Sequence, residues 1–132
     1  MGNRAVIGFD GKKTGIYLHW NGGEESVKAF LDCAKSLGVR DPVRDSYGIA
    51  RLTQIIGNFF GGDLSLGIGD LEGLDCDNYD NGTFIVGENW EIIERRYQRN
   101  SRAFNQEYYE GVLAECLERN KPIFYKIKLM RV

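Results

Sequence analysis

The chain has one histidine, His19, which removes paired-histidine metal centres and leaves a single imidazole for any acid–base chemistry. Its three cysteines, Cys33, Cys76 and Cys116, are odd in number and show no CxxC spacing. Free thiols in a reducing cytosol fit that count better than a disulfide framework or a zinc site. The sequence contains no phosphate loop, no GxGxxG and no GxSxG. No apolar run approaches the roughly eighteen residues of a membrane span, and no signal peptide is visible, so no membrane partner is expected. Neither sign of charge dominates. The net charge is −2 and the isoelectric point about 5.5, which argues against DNA or RNA as a main partner. A local basic patch can still hold a small phosphorylated ligand, because net charge averages over faces.

What is present suits one ordinary domain. The 132 residues suffice to bury a core without staples, and 42% hydrophobic with 27% charged residues is the usual globular balance. Only two prolines stand against 17 glycines, so many tight turns and short connections are expected.

The stretch Gly15 to Gly23 organises the reading. Ile16 and Leu18 alternate with Tyr17 and His19 as in a half-buried strand, and Asn21-Gly22-Gly23 breaks it. His19, Trp20 and Asn21 then face a helix N-terminus across a glycine corner. Such a terminus can bind anions, but Glu24 and Glu25 in the first turn argue against phosphate there. The simpler reading has Trp20 packing on the core and the glycines making the turn.

Arg4 to Phe9 alternates in strand fashion and turns at Asp10-Gly11, giving a first antiparallel hairpin. Ser26 to Leu37 reads as a helix, with Val27, Phe30, Leu31 and Ala34 on one face and Gly38 ending it. A second helix is expected from about Asp45 to Phe60, stopped by Gly61-Gly62; Arg51 and Asn58 share one side of it without a packing reason. Leu64 to Ile68 reads as a short strand, followed by an acidic loop from Asp70 to Gly82. Thr83 to Val86 and Glu91 to Tyr97 read as two more strands. Asn105 is an N-cap for a last helix to about Arg119, whose wide face carries Tyr108, Tyr109, Val112, Leu113, Cys116 and Leu117. Ile123 to Met130 reads as a closing strand. The expected fold is α+β, a mainly antiparallel sheet with three helices in the order β-β-α-α-β-β-β-α-β within a single domain, 1–132. The crowded face of the last helix exceeds what one sheet needs, so a homo-oligomer, dimer or higher, is expected.

Three candidate sites follow. The acidic loop places Asn81, Gly82 and Glu88 at calcium-loop spacing from Asp77, but Tyr79 stands where a carboxylate is needed and the flanks read as strands. A solvated loop is the plainer reading, and no metal is expected. For catalysis, His19 and the cysteines show no activated pairing, and His19 reads as a hydrogen-bonded strand residue, so no catalytic residue and no cofactor are assigned. The segment 95–102 is the densest in cations. Arg95, Arg99 and Arg102, with Trp90, Tyr97, Phe104 and Phe84 close in sequence, combine forked donors for phosphate with flat rings for a base. Arg95 and Arg99 would reach a pyrophosphate while Trp90 or Phe84 stacks on adenine. Surface salt bridges to Glu91, Glu94 and the glutamates of the last helix are the competing reading of the same arginines.

The opening Asn3 to Ile7, the corner Ile16 to Gly23, Ser26-Val27, Ala50-Arg51, Asn58 to Gly62 and the later Asn81-Gly82 together resemble the phage anti-Thoeris sponge proteins, of the first kind described. The likeness covers about the first half of the chain. It implies a small homo-oligomer, in the host cytoplasm, that holds a cyclic ADP-ribose isomer made by TIR-domain enzymes without cleaving it. Some relatives also bind cyclic oligonucleotides at a second site. The pattern departs at Glu24, where an arginine is expected directly after the double glycine. If that arginine contacts phosphate in the second site, Arg51 has lost its partner here. The second site is therefore not expected here, and Arg51 stays among the candidate ligand residues as a cation on the second helix that packing does not explain. A second functional class also follows from the sequence: a protein-binding inhibitor of a host defence enzyme acting through the acidic loop.

Overall fold

A computed structural model describes residues 2–62, 66–99 and 102–122. The hairpin is β1 (Ala5–Phe9) and β2 (Thr14–Leu18), followed by α1 (Glu24–Ser36), α2 (Ser46–Phe60) and β3 (Leu66–Asp70). A short 3₁₀ turn, Leu71–Gly73, leads into the acidic loop; β4 (Thr83–Val86), β5 (Ile92–Arg96) and α3 (Gln106–Arg119) complete the order. The five strands lie in the order β3-β2-β1-β4-β5. Among the described residues all pairings are antiparallel except β1 with β4, which run parallel with Ile7 opposite Phe84. The fold is α+β, as the alternation of strand and helix periodicities predicts. The expected closing strand, Ile123 to Met130, lies outside the described residues.

Local chemistry explains most element ends. The side chain of Asp45 accepts from the Tyr47 N–H at the start of α2, and that of Asn105 accepts from the Tyr108 N–H at the start of α3. Gly61 closes α2 at φ 80°, where a side chain would be strained. α1 begins two residues earlier than its apolar period suggests, because extended Gly23 serves as its N-cap and Glu24 and Glu25 occupy the first turn. Strand β3, Leu66–Asp70, runs two residues past its expected end at Ile68, and β2 ends at Leu18 rather than running through His19.

The helices pack on one face of the sheet. Ala5, Ile7, Phe9, Ile16, Leu18, Phe84 and Val86 meet Phe30, Leu31, Leu52, Ile56, Val112 and Cys116 in a single core. The acidic loop is more than a solvated connection. It folds back over the opposite face, where side chains of Leu71 and Leu74 sit so close that a Cβ on Gly8 or Gly15 would meet them at 3.0–3.1 Å. Buried Asn78 fixes the loop end: its carbonyl accepts from Gly82 N–H (2.9 Å), and its amide donates to Gly82 and Asp75 carbonyls (3.0 Å each).

Most of the crowded face of α3 is used within the chain. Val112 and Cys116 are buried, and Tyr109, Leu113 and Leu117 pack against the same core. Tyr109 also donates its hydroxyl to Asp32. Tyr108 alone of that set stays half-exposed. The packing reason for Asn58 is now plain: it donates to Asn120 Oδ1 (3.1 Å), a buried residue that also donates to the Ile55 and Cys116 carbonyls. No helix among the described residues is long and apolar enough to cross a membrane.

Candidate functional site

Three stretches far apart in sequence meet at one end of the sheet. The Asn3 N–H donates to His19 O and the Asn3 carbonyl accepts from Gly22 N–H, both at 2.8 Å. Asn81 donates through Nδ2 to Asn3 Oδ1 (2.6 Å) and to Arg4 O (3.0 Å). Gly22 is required here, since a Cβ would lie 2.5 Å from Asn3 O. The N-terminal stretch, the glycine corner and Asn81-Gly82 thus build one structural unit.

Beside this unit lies a cleft of about 620 Å³, within the size range of small-molecule sites. Arg95, Arg99 and Arg102 line it, together with Glu24, Glu25, Asp80, Asn3, Asn81 and Phe104. The chain reaches it from two directions: the first turn of α1 supplies the glutamates, and the segment from β5 to α3 supplies the arginines and Phe104.

The arginines are paired within the chain. Arg95 donates from Nη1 to Glu24 (2.8 Å) and from Nη2 to the Asn81 carbonyl (2.8 Å), while its Nε is buried without a partner. Burial pushes its guanidinium below the ordinary arginine value, against the pull of Glu24. Arg99 bridges Asp77 from Nε (2.9 Å) and stacks 4.5 Å over the ring of Tyr79. Arg102 makes a two-pronged bond to Glu25, both contacts at 2.6 Å, and Glu25 Oε2 also accepts from Asn105 N–H (2.8 Å). Glu25 is 1% exposed. Its carboxyl is held down at about 2, first by Arg102 and then by the Asn105 amide, against the cost of burial.

Two rings that the sequence offers for base stacking are interior. Phe84 is fully buried, and Arg95 covers its face at 3.8 Å, so it forms the floor beneath a guanidinium rather than a ligand wall. Trp90 is 5% exposed and donates its indole N–H to Val39 O (3.3 Å), away from the cleft lining. Both were brought forward by nearness in sequence, but strand register turns Phe84 inward opposite Arg95. Arg51 sits on α2, bonded to Gln54 (3.3 Å), and does not line the cleft. Trp20, expected on the core, is 47% exposed and meets His19 edge-on. Phe104, close to the arginines in sequence, is the aromatic ring in the cleft lining.

Other reactive groups are otherwise engaged. His19 Nδ1 shares a 2.9 Å hydrogen bond with the Tyr17 hydroxyl. Cys33 and Cys116 are fully buried, and contact with Cys33 together with burial pushes the Cys116 thiol up, away from the reactive thiolate. In the acidic loop Asp77 faces Arg99, and Asp80 accepts from Arg4 Nε at 2.7 Å. Among the described residues no group of three or more His, Cys, Asp or Glu side chains is placed to hold a metal ion. No protein-family model matches the chain, nor does any curated protein or solved structure.

Proposed function

We propose that this chain binds an intact cyclic ADP-ribose-type nucleotide in the 95–104 cleft and holds it without chemistry, as a phage-type anti-defence sponge in the host cytoplasm. The observation that carries this reading is the convergence of Arg95, Arg99 and one open aromatic ring, Phe104, on a single cleft of ligand size, with Arg102 held beside them by Glu25. Forked N–H donors suit pyrophosphate oxygens, and a ring suits a purine face. The carboxylates in the same lining, Glu24 and Asp80, suit ribose hydroxyls, which donate to acidic side chains in nucleotide sites. A cleft of mixed sign therefore fits a nucleotide better than a bare phosphate. The resemblance noted from the sequence points to the same ligand class, and of the residues carrying it Asn3 and Asn81 line the cleft while Gly22 is bonded to Asn3 behind it.

Holding rather than cleaving is supported by the state of the three thiols and the one imidazole: Cys33 and Cys116 are buried, Cys76 donates to the Leu71 carbonyl, and His19 is bonded to a tyrosine. The same reading includes a homo-oligomer, which rests on the resemblance; Trp20 and Tyr108 are among the exposed apolar side chains that a second copy could cover. A protein-docking role for the acidic loop is less well supported, because Asp75, Asp77 and Asp80 all face arginines of the same chain. The test is incubation with cyclic ADP-ribose isomers, removal of free ligand, and heating to release what was held. Intact cyclic ligand is expected. Recovery of linear ADP-ribose would identify an enzyme, and recovery of nothing would remove the nucleotide reading.

A further inference from the structure

The best-defined side chain in the cleft, beyond the arginines, is Phe104, and its surroundings fix it from both sides. The buried Glu25 carboxylate holds the Arg102 guanidinium at 2.6 Å and the Asn105 amide at 2.8 Å, so both residues flanking Ala103-Phe104 are pinned to the first turn of α1. Asn105 is also the N-cap of α3, which fixes the direction in which the chain leaves. The Phe104 ring packs at 5.8 Å and 48° on Tyr109, itself bonded to Asp32, and remains 36% exposed toward the cleft. An exposed aromatic ring on an irregular segment normally loses rotamer freedom when a ligand orders it. Here the segment is ordered beforehand by an ion pair whose carboxylate is buried.

From this we propose that Phe104 is the base-stacking residue of the cleft, held in place by the Glu25 clamp, so that the site favours a ligand that carries a base over a bare phosphate or pyrophosphate. The inference rests on the nucleotide reading above and adds to it the face on which the base lies. Phe104 takes the place that the sequence offered to Phe84 and Trp90, whose rings are covered. The arginines would grip phosphate whatever base is attached; Phe104 would make the base count.

The experiment is calorimetric titration of cyclic ADP-ribose into the parent and into Phe104→Ala, Phe104→Leu and Phe104→Tyr, each checked for an unchanged melting temperature. Loss of a stacked base weakens binding by roughly five- to 150-fold on the scale of aromatic-to-alanine substitutions. Phe104→Ala is expected in that range, and Phe104→Tyr within about twofold of the parent, since the ring face is kept. Should Phe104→Ala unfold, Leu against Tyr makes the same comparison with the apolar volume largely kept, and Leu is expected at least about fivefold weaker. Equal affinity of Leu or Ala with the parent overturns the role of Phe104 and leaves the nucleotide reading standing. A parent that binds no cyclic ADP-ribose overturns both.

Discussion

Replacing Glu25 by glutamine should change how the stability of this protein depends on pH, and the size of the change follows from the geometry. The carboxyl group is 1% exposed, accepts two bonds from Arg102 and one from Asn105, and is lowered from its ordinary 4.5 to about 2. A group whose folded value is depressed stabilises the fold fully above its unfolded value and loses that contribution as pH falls through the folded one. For Glu25 the window is therefore from 4.5 down to about 2. At roughly 1.36 kcal/mol per unit the ceiling is about 3 kcal/mol. The Arg102 side chain is 59% exposed, so water screens the pair, and about half that ceiling, ~1.5 kcal/mol, is the expected contribution.

Urea unfolding of the parent and of Glu25→Gln at a series of pH values between 7 and 2 reads this directly. Glutamine keeps the volume and can still accept from Asn105, but it has no charge to lose. Both proteins will weaken in acid as Asp41, Asp45, Asp77, Asp80 and Glu94, also held below their ordinary values, take up protons. Only the parent carries the Glu25 contribution. Above pH 5 the parent should be the more stable by about 1.5 kcal/mol, and the two curves should converge toward pH 2. A gap that stays constant across the range would show that glutamine disturbs packing rather than charge, and no gap at all would mean the ion pair contributes nothing.

Arg99→Ala should weaken cyclic ADP-ribose binding by about tenfold or more, the loss expected for a charged hydrogen bond of roughly 1.5–3 kcal/mol. Lys12→Ala, in the first hairpin turn, is the charge control; binding equal to that control in both Arg99→Ala and Arg95→Ala would make the arginines a salt-bridge surface only. Light scattering should give a mass above the 15.0 kDa of one chain. A clean monomer at micromolar concentration would remove the oligomer.

The fold was readable wherever its cause is local. Helical apolar spacing located α1, α2 and α3, and Asn105 marks the start of α3 because a capping oxygen sits within three residues of the amide it satisfies; Asp45, expected as the first residue of α2, is its cap. The hairpin followed from Asp10-Gly11 for the same reason, a turn closed by Lys12 N–H on the Phe9 carbonyl within the four-residue connection. The parallel pairing of β1 with β4 did not follow, because the partners, Val6 and Thr83 among them, are joined through the whole helical half of the chain. Nor did the second role of the acidic loop. Leu71 and Leu74 were the signal, two apolar residues among aspartates, and they cover the sheet face that Gly8 and Gly15 leave open.

The site was half readable. Residue types named the arginine segment, since forked cations beside rings are visible in any order. Partners were not visible: Arg95 meets Glu24 across 71 residues, Arg102 meets Glu25 across 77, and nothing in the spacing announces either. Once the partners are known, the three arginines divide by the burial of their carboxylates. Glu24 and Asp77 have side chains 46% and 33% exposed, so each can turn to water and release its arginine to a phosphate. Glu25 cannot, because an unpaired carboxylate buried at 1% exposure costs far more than a surface ion pair gains. Arg102 is thereby held as part of the fold, while Arg99, and Arg95 through its Nη1, are exchangeable. A phosphate entering this cleft would take donors from Glu24 and Asp77 and leave the Glu25 clamp closed. The ring that the clamp positions would then stay in place while the charges around it are exchanged.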